Sequence, residues 1–248
     1  MSCALEISAK LDRMKLSVII PARNEELFIG GCLESIEAAA RNFGGEVEII
    51  VSLNRCTDKT EEIARRHGAI IVNEDSKNLS RIRNRGAYAA TGDVIVTIDA
   101  DSRMTPNMLK EIDRRLGAGD CIGGGVAILP ERLSLGILIS ALLLVPYGMV
   151  HRISAGLFWC FRSDFHAIGG FNDSLITLED VDFAKRLKAY GKRRGKRFKT
   201  ILRAQIVTSC RKFDQFGDWY FIRNPRFVRS LINGNKKAAD SYFYEVER

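Results

Sequence analysis

The sequence lacks three patterns that would identify a cofactor or a compartment. Its six cysteines are scattered without a Cys-x-x-Cys pair, which argues against a zinc site and fits a reduced, cytosolic compartment. Neither Gly-x-Gly-x-x-Gly nor Gly-x-x-x-x-Gly-Lys-Ser/Thr occurs, so a dinucleotide fold and a P-loop are both disfavoured. Residues 1–15 have no apolar core, and we therefore expect no secretory signal. Internal repeats and low-complexity segments are also missing.

The chain does have length and positive charge. Its 248 residues are enough for one large α/β domain, and its apolar and charged fractions are those of a globular protein. The formal net charge is +8 and the pI is near 9.3, which favours anionic partners such as nucleotides or phospholipid surfaces. We expect no nucleic-acid partner, because the sequence contains no recognised module for one.

Apolar runs alternate with amphipathic helices in the first hundred residues. Buried strands are predicted at residues 16–20, 47–53, 69–72 and 94–98, with helices starting near Glu25, after Asp58 and at Leu79. This alternation predicts an α/β fold with a mostly parallel, Rossmann-like sheet and helices on both faces. We expect a single domain whose halves span about residues 15–105 and 106–248.

The two acids Asp99 and Asp101 end the strand predicted at residues 94–98. Open α/β sheets bind ligands in the crevice beyond the carboxyl ends of their strands. Two carboxylates there can hold a hard divalent cation, which typically bridges the phosphates of a substrate. The alternative is that the acids only start the turn towards the next helix.

Polar residues also follow the first two predicted strands. Asn24 and Glu25 come after Pro21, where they can hydrogen-bond a ribose or a base or cap a helix. After the second strand, Asp58 forms an Asp-x-x-Glu capping box with Glu61, which competes with a role in base recognition.

Four short motifs together resemble the family 2 glycosyltransferases. They are Pro-x-x-Asn-Glu from Pro21, Asn-x-Cys-Thr-Asp from Asn54, Arg-Asn-x-Gly from Arg83 and Asp-Ala-Asp from Asp99. The resemblance covers residues 16–190 and implies an inverting, hexosyltransferase-like enzyme of the GT-A fold. Such an enzyme uses a nucleotide-diphospho-sugar, here a UDP- or GDP-sugar, together with Mn2+ or Mg2+.

The resemblance also implies a role for each matching residue. Asp101 would bind the metal and Asp99 the metal or the ribose, while the nucleotide-sugar contacts would come from Pro21, Asn24, Glu25, Asn54, Asp58 and Arg83. Many relatives have an Asp-Asp or Asp-Asn pair where this chain has Asn54, which leaves open which nucleotide base is bound. Some relatives supply a late histidine to the metal, but no histidine follows His166 here. The third metal ligand is therefore open, and Arg211 is a candidate to neutralise the diphosphate instead.

A second chemical centre lies at residues 169–182. Its Gly-Gly-Phe…Glu-Asp pattern resembles the acceptor motif of the family, in which the second acid is the general base, here Asp180, with Glu179 facing the acceptor. A carboxylate in a desolvated cleft can have its pKa raised towards the working pH. The competing prediction is a helix cap formed by Thr177 and Asp180. Gly124, in a strand predicted at residues 121–126, allows close approach of a sugar or of another backbone.

Two further segments raise the question of a membrane. Residues 133–150 are the most apolar stretch, barely long enough to span a bilayer, and we favour a buried, cleft-covering or surface-lying helix. Residues 185–203 are very basic and predict a solvated loop, a phospholipid-facing patch or contacts to an anionic acceptor. The expected location is the cytoplasm, with the inner face of the cell membrane as a peripheral site and a lipid-linked acceptor as one option.

Two other functions remain as alternatives. One is a catalytically inactive relative that binds nucleotides or docks on membranes, against which the intact acids count. The other is a sugar-nucleotidyltransferase, which should carry a Gly-rich phosphate loop after the first strand that this sequence lacks.

Overall fold

The structure is a computed structural model that describes residues 14–140, 156–175 and 177–227. The strands in this part are β1 (Leu16–Ala22), β2 (Val47–Leu53), β3 (Ile70–Asn73), β4 (Val94–Ile98), β5 (Ser102–Met104), β6 (Cys121–Pro130), β7 (Leu157–Phe161) and β8 (Arg197–Thr208). The helices are α1 (Ile29–Phe43), α2 (Thr60–Arg66), α3 (Leu79–Ala89), α4 (Met108–Gly117), α5 (Arg162–Ala167), α6 (Glu179–Arg193), α7 (Arg211–Phe216) and α8 (Tyr220–Arg223).

The described strands form one mixed sheet in the order β3-β2-β1-β4-β7-β6-β8-β5. The first half is parallel, with β1 between β2 and β4 and with β3 at the edge. In the second half, β7 is antiparallel to β4 and β6, whereas β8 is parallel to β6 and antiparallel to β5. The α/β fold predicted from the sequence is confirmed, and each antiparallel pairing includes at least one strand that follows β4 in the chain.

Helices cover both faces of the sheet because the strands bury alternate residues on opposite sides. Val18 and Val96 belong to the apolar cluster under α1 and α4, while Ile19 and Ile95 belong to the cluster under α3 and α6. Every residue of β1 and of β4 is buried. This explains why these two strands read as continuous apolar runs, and both are interior strands of the sheet.

The basic stretch at residues 185–203 was only partly understood from the sequence. Its first part is the end of α6, but β8 begins at Arg197 and runs for 12 residues between β6 and β5, so the predicted loop is wrong there. A register shift in β8 places Ile201 opposite Val126 and Gln205 opposite Ala127. This irregularity breaks the two-residue alternation by which a strand is recognised.

Helix starts also differ from the predictions. The first helix begins at Ile29 instead of near Glu25. The sequence Thr105-Pro106 also predicts a helix start with Thr105 as the N-cap, but the N-cap of α4 is Asn107. Thr105 is held by the sheet, because its backbone N–H donates to the Gln205 carbonyl at 3.0 Å and its Oγ1 accepts from the Gln205 N–H at 3.2 Å. A tertiary contact therefore takes the residue that local pattern assigns to the helix cap.

The apolar stretch at residues 133–150 is helical over residues 135–140, and residues 141–150 lie outside the described part. Leu133, Leu135 and Leu138 are exposed. Within the described ranges, no helix combines the length and apolarity that crossing a membrane requires.

Candidate active site

An open cleft lies at the carboxyl ends of β1, β2 and β4. Its walls combine strand ends, the start of two helices and the segment after β8. The lining residues are Pro21, Ala22, Arg23, Glu25, Asn54, Leu79, Ile82, Asp99, Ala100, Asp101, Glu179, Arg211 and Lys212. Seven residues predicted from the sequence thus meet in one cleft: Pro21, Glu25, Asn54, Asp99, Asp101, Glu179 and Arg211.

Arg211 ties the segment after β8 to both strand ends. Its Nη1 and Nη2 lie 2.6 and 2.9 Å from the two carboxylate oxygens of Glu25, and Nη2 also lies 3.1 Å from Oδ2 of Asp101. Glu25 is 4% exposed, so this bidentate pair is shielded from water. Arg211 therefore sets a fixed positive charge beside the acids at the cleft floor.

Asp101 has the environment of a ligand-binding carboxylate. Burial raises its pKa to about 6; Arg211 opposes this shift, and Asp99 and Glu25 add to it. A carboxylate that is costly to ionise alone gains from a bound cation. Asp99 and Asp101 supply hard oxygen donors that fit Mn2+ or Mg2+, which typically takes one or two carboxylates and completes its shell with phosphates and water. Among the described residues, no three or more His, Cys, Asp or Glu side chains are grouped so that they could hold a metal ion together.

Arg83 lies behind the cleft and contacts three carboxylates. Its Nη1 is 2.6 Å from Oδ1 of Asp180 and 3.1 Å from Oε1 of Glu179, and its Nη2 is 2.8 Å from Oδ1 of Asp99. The Arg83 side chain is 4% exposed. One buried guanidinium thus joins the acid at the end of β4 to the acids at the start of α6.

The carboxylate of Asp180 is directed at Arg83. The helix α6 begins at Glu179 with Leu178 as its N-cap residue, in the left-handed region at φ 61°, and not with Thr177 as the capping prediction required. Burial raises the pKa of Asp180 well above its usual range, with Arg83 opposing the shift and Glu179 adding to it. A carboxylate of this kind can accept a proton near neutral pH.

Two of the sequence motifs are explained by their contact with each other. The Asn84 side chain accepts from the Phe171 N–H and donates to the Phe171 carbonyl, both at 2.8 Å. Gly170 has φ 65°, and a Cβ there would meet Oδ1 of Asn84. The Phe171 ring lies 5.3 Å from the Arg83 guanidinium carbon. The Arg-Asn-x-Gly and Gly-Gly-Phe motifs therefore form one support beneath the three acids.

Asn24 and Asp58, two residues predicted to contact the nucleotide-sugar, make hydrogen bonds within the protein. Asn24, at φ 50°, accepts from the Thr57 N–H at 2.9 Å. Asp58 accepts from the backbone N–H groups of Glu26 and Thr60, both at 3.0 Å, and thus holds the loop after β1 to the start of α2. The predicted Asp58–Glu61 capping box is not the helix start, because the N-cap of α2 is Lys59.

Asn54 is fully buried although it borders the cleft. Its Nδ2 donates to the carbonyls of Glu74 and Ser76 at 2.5 and 2.8 Å, and its Oδ1 accepts from Arg55 at 3.1 Å. Both N–H groups of the amide are thereby used to hold the loop after β3, so any contact of Asn54 with a ligand would use its oxygen.

Gly124 lies inside the sheet, outside the cleft lining. A Cβ at this position would overlap the carbonyl oxygen of Lys199 and approach the Trp159 ring to 2.8 Å. Packing between β7 and β8 thus explains the glycine, while its predicted contact with an acceptor stays a prediction.

Two cationic residues of the cleft, Arg23 and Lys212, were missed as site residues. Each is adjacent to a predicted segment, one between Pro21 and Asn24 and the other after Arg211. The sequence feature that could have identified them is a basic residue near a strand end in a chain of net positive charge. This feature is weak, because basic side chains are common on any protein surface.

Residues 17–133 match the model of the family described as Glycosyl transferase family 2, a range that holds both Asp99 and Asp101. Over this range the chain is similar to glycosyl transferase family 2.

Glycosyltransferases with related sequences match the chain over different lengths. The low-salt glycan biosynthesis hexosyltransferase Agl6 of Haloferax volcanii is 33% identical over 118 residues, which are 45% of this chain and 28% of the relative. The amylovoran biosynthesis glycosyltransferase AmsB of Erwinia amylovora is 27% identical over 94% of this chain and 82% of its own length. This chain therefore spans less than a third of the Haloferax volcanii relative.

A solved structure shares the fold of this chain. The mannosyltransferase PcManGT of Pyrobaculum calidifontis, in complex with GDP-Man and Mn2+, superposes with a TM-score of 0.63 over 86% of this chain and 65% of its own. The two sequences are 19% identical, so this likeness concerns the GT-A fold alone.

Proposed function

We propose that the protein is an inverting glycosyltransferase that moves a sugar from a nucleotide-diphospho-sugar to an acceptor hydroxyl. The observation that carries this proposal is that Arg83 joins two acid groups: Asp99, which lines the cleft with Asp101 at the end of β4, and Asp180 at the start of α6, next to the cleft-lining Glu179. A donor site and a proton acceptor are thereby supplied by two distant parts of the chain.

Donor binding falls to the side of the cleft formed by β1, β2 and β4. Asp101, with Asp99 beside it, would hold Mn2+ or Mg2+, which when bound neutralises charge on the diphosphate leaving group. Arg211 and Lys212 add positive charge at the same place. Pro21 and Asn54 border the nucleoside side, and the donor is a UDP- or GDP-sugar. The GDP-Man and Mn2+ of the Pyrobaculum calidifontis structure support this choice of donor and metal.

Asp180 is the general base of the proposed reaction. Its carboxylate takes the proton from the acceptor hydroxyl while that oxygen attacks the anomeric carbon and the diphosphate leaves from the opposite side, which inverts the configuration. The raised pKa of Asp180 supports this role, because general bases work best when their pKa lies near the operating pH. Glu179 lines the cleft beside it and faces the acceptor side.

The acceptor side also supports a location at a membrane surface, on its cytoplasmic face. Leu133, Leu135 and Leu138 expose an apolar start to the 133–150 stretch, and the exposed end of α6 carries basic residues from Lys192 to Arg194. An apolar helix face and a basic patch together are the two signals that stable peripheral binding requires. A lipid-linked acceptor would fit such a location.

The proposal is tested by hydrolysis of nucleotide sugars with Mn2+. We expect the protein to release nucleoside diphosphate from at least one UDP- or GDP-sugar, and Asp180→Asn to slow the release by about 10²–10⁴-fold, the usual contribution of a general base. Asp182→Asn is the matched control, because it lies on the same helix and bonds Arg186 at 2.6 Å. Glu179→Gln should be milder than Asp180→Asn.

Wild-type protein that cleaves none of these donors would contradict the proposed activity. Equal rates for Asp180→Asn and the wild type would remove Asp180 as the base and leave the rest of the proposal standing.

A further inference from the structure

Arg83 is predicted from the sequence as a nucleotide contact, but its surroundings indicate another role. In the described part of the chain its side chain does not line the cleft, and it is 4% exposed. Its Nη1 and Nη2 donate to the carboxylates of Asp99, Glu179 and Asp180. A nucleotide would thus meet Asp99 before it reached this guanidinium.

The guanidinium has a fixed orientation. Its carbon lies 5.3 Å from the centre of the Phe171 ring, and Phe171 is anchored by the two 2.8 Å hydrogen bonds to Asn84, the next residue along α3. The helix α3 is itself pressed on β1, since a Cβ at Gly86 would overlap the Ile19 side chain. Every support of the Arg83 side chain is therefore a buried contact.

Because the guanidinium of Arg83 is planar, it holds its carboxylate partners in a fixed relation to each other. Nη1 holds Asp180 and Nη2 holds Asp99, so the two carboxylates are attached to opposite arms of one rigid fork. An ammonium group is a single point charge and cannot hold two carboxylates in this fixed relation. The separation of the acid on the donor side from the acid on the acceptor side thereby depends on Arg83.

We propose that Arg83 is a positioning residue that fixes the carboxylate of Asp180 relative to Asp99, and that it is not a ligand of the nucleotide. This inference rests on the proposed function, because it takes Asp180 as the base. Arg83 then acts on the reaction only through Asp180 and Asp99, and its replacement should change turnover much more than nucleotide affinity.

The test is a double-mutant cycle with Arg83→Lys, Asp180→Asn and the double variant. The measured quantities are kcat for hydrolysis of the donor that the wild type cleaves, and the Kd of the corresponding nucleoside diphosphate with Mn2+. Arg186→Lys is the matched control, since Arg186 also anchors α6, through Asp182 at 2.6 Å and the Ile168 carbonyl at 2.7 Å, without touching the cleft acids.

We expect Arg83→Lys to lower kcat by about 10- to 100-fold, the size of effect that a small misplacement of a reacting group causes. Its Kd should stay within about threefold of the wild type, and the double variant should be no slower than Asp180→Asn, because coupled sites are not additive. Arg186→Lys should match the wild type. If Arg83→Lys does not fold, Phe171→Leu removes the support of the guanidinium and should show the same split between kcat and Kd.

Three results would overturn the inference. They are weaker nucleotide binding at unchanged kcat, a double variant slowed by the full product of the single effects, and an Arg83→Lys enzyme with wild-type kcat. Each of them leaves the proposed function intact. A wild type that binds no nucleoside diphosphate and cleaves no donor contradicts the proposed function itself.

Discussion

Single residues of the cleft carry opposing charges that the fold forces together. Asp101 sits beside Asp99 and Glu25, and Asp180 beside Glu179, with Arg211 and Arg83 as the partly compensating cations. Burial is the largest cause of the raised pKa in both aspartates. Such groups lower stability when they are ionised, and this cost is typical of sites that await a charged ligand.

The metal-free protein should therefore become more stable as the pH falls from 8 to 5. A carboxyl whose folded pKa is raised contributes stability at low pH and loses it as the pH rises through its folded pKa, about 6 for Asp101. At about 1.4 kcal/mol per pKa unit, Asp101 alone contributes about 1.4 kcal/mol of this change, because pH 5 lies one unit below its folded pKa of about 6. Urea unfolding in EDTA at several pH values measures it.

The variant Asp101→Asn tests whether this pH dependence of stability arises from Asp101. It should be more stable than the wild type at pH 8, with about half of that difference left at pH 5, whereas Asp75→Asn, at an exposed loop residue, should follow the wild type at every pH. A wild-type protein that loses stability between pH 8 and pH 6 would show that Asp101 is not destabilised by burial. Below about pH 4 all of these proteins should weaken, since Glu48 and Asp58 have lowered pKa values.

At the scale of elements, β6 packs closely between β7 and β8. This packing determines the positions of the residues in the second half of the chain, at about residues 106–248. Gly124 permits this packing because a side chain would overlap the Lys199 carbonyl. The strands β6 and β8 follow each other in the sheet, and β8 leads directly to Arg211. The position of that cleft residue therefore depends on how closely the strands pair.

The substitution Gly124→Ala should destabilise the fold by about 1–3 kcal/mol or more, because overpacking forces the backbone of β8 to move. Gly117→Ala is the control, since a Cβ there meets nothing within 4 Å. In the last turn of α4 it should be neutral or stabilise by up to about 1 kcal/mol. Chemical unfolding measures both. Equal stability of Gly124→Ala and the wild type would mean that Gly124 is kept for a ligand and not for packing.

The parallel half of the fold was predictable from the sequence, and the antiparallel half was not. The strands β1 and β4 are buried on both faces and so appear as plain apolar runs between helices. The short strand β5 and the irregular strand β8 pair over long sequence distances, and local pattern does not record such pairing. For the same reason the residue types of the site were predictable, but the contact of Arg83 with Glu179, 96 residues away, was not.

For the whole molecule, the proposed location at a membrane gives a separate test. The protein should co-sediment with vesicles containing anionic phospholipid at low salt and much less at high salt, because basic patches bind through charge that salt screens. A variant with Leu133, Leu135 and Leu138 changed to Ser should bind less, while Leu202→Ser, at another exposed leucine, serves as the control. No co-sedimentation at low salt would argue for a purely soluble acceptor.

The central claim is that the cleft binds a nucleotide diphosphate through a divalent metal at Asp101. Titration calorimetry of UDP and GDP at pH 8, with Mn2+ or with EDTA, tests it most directly. We predict that at least one nucleotide binds with Mn2+ and binds at least about tenfold more weakly in EDTA or to Asp101→Asn, since the metal links carboxylate and phosphate. Equal affinity with and without the metal, or binding of neither nucleotide, would contradict this account.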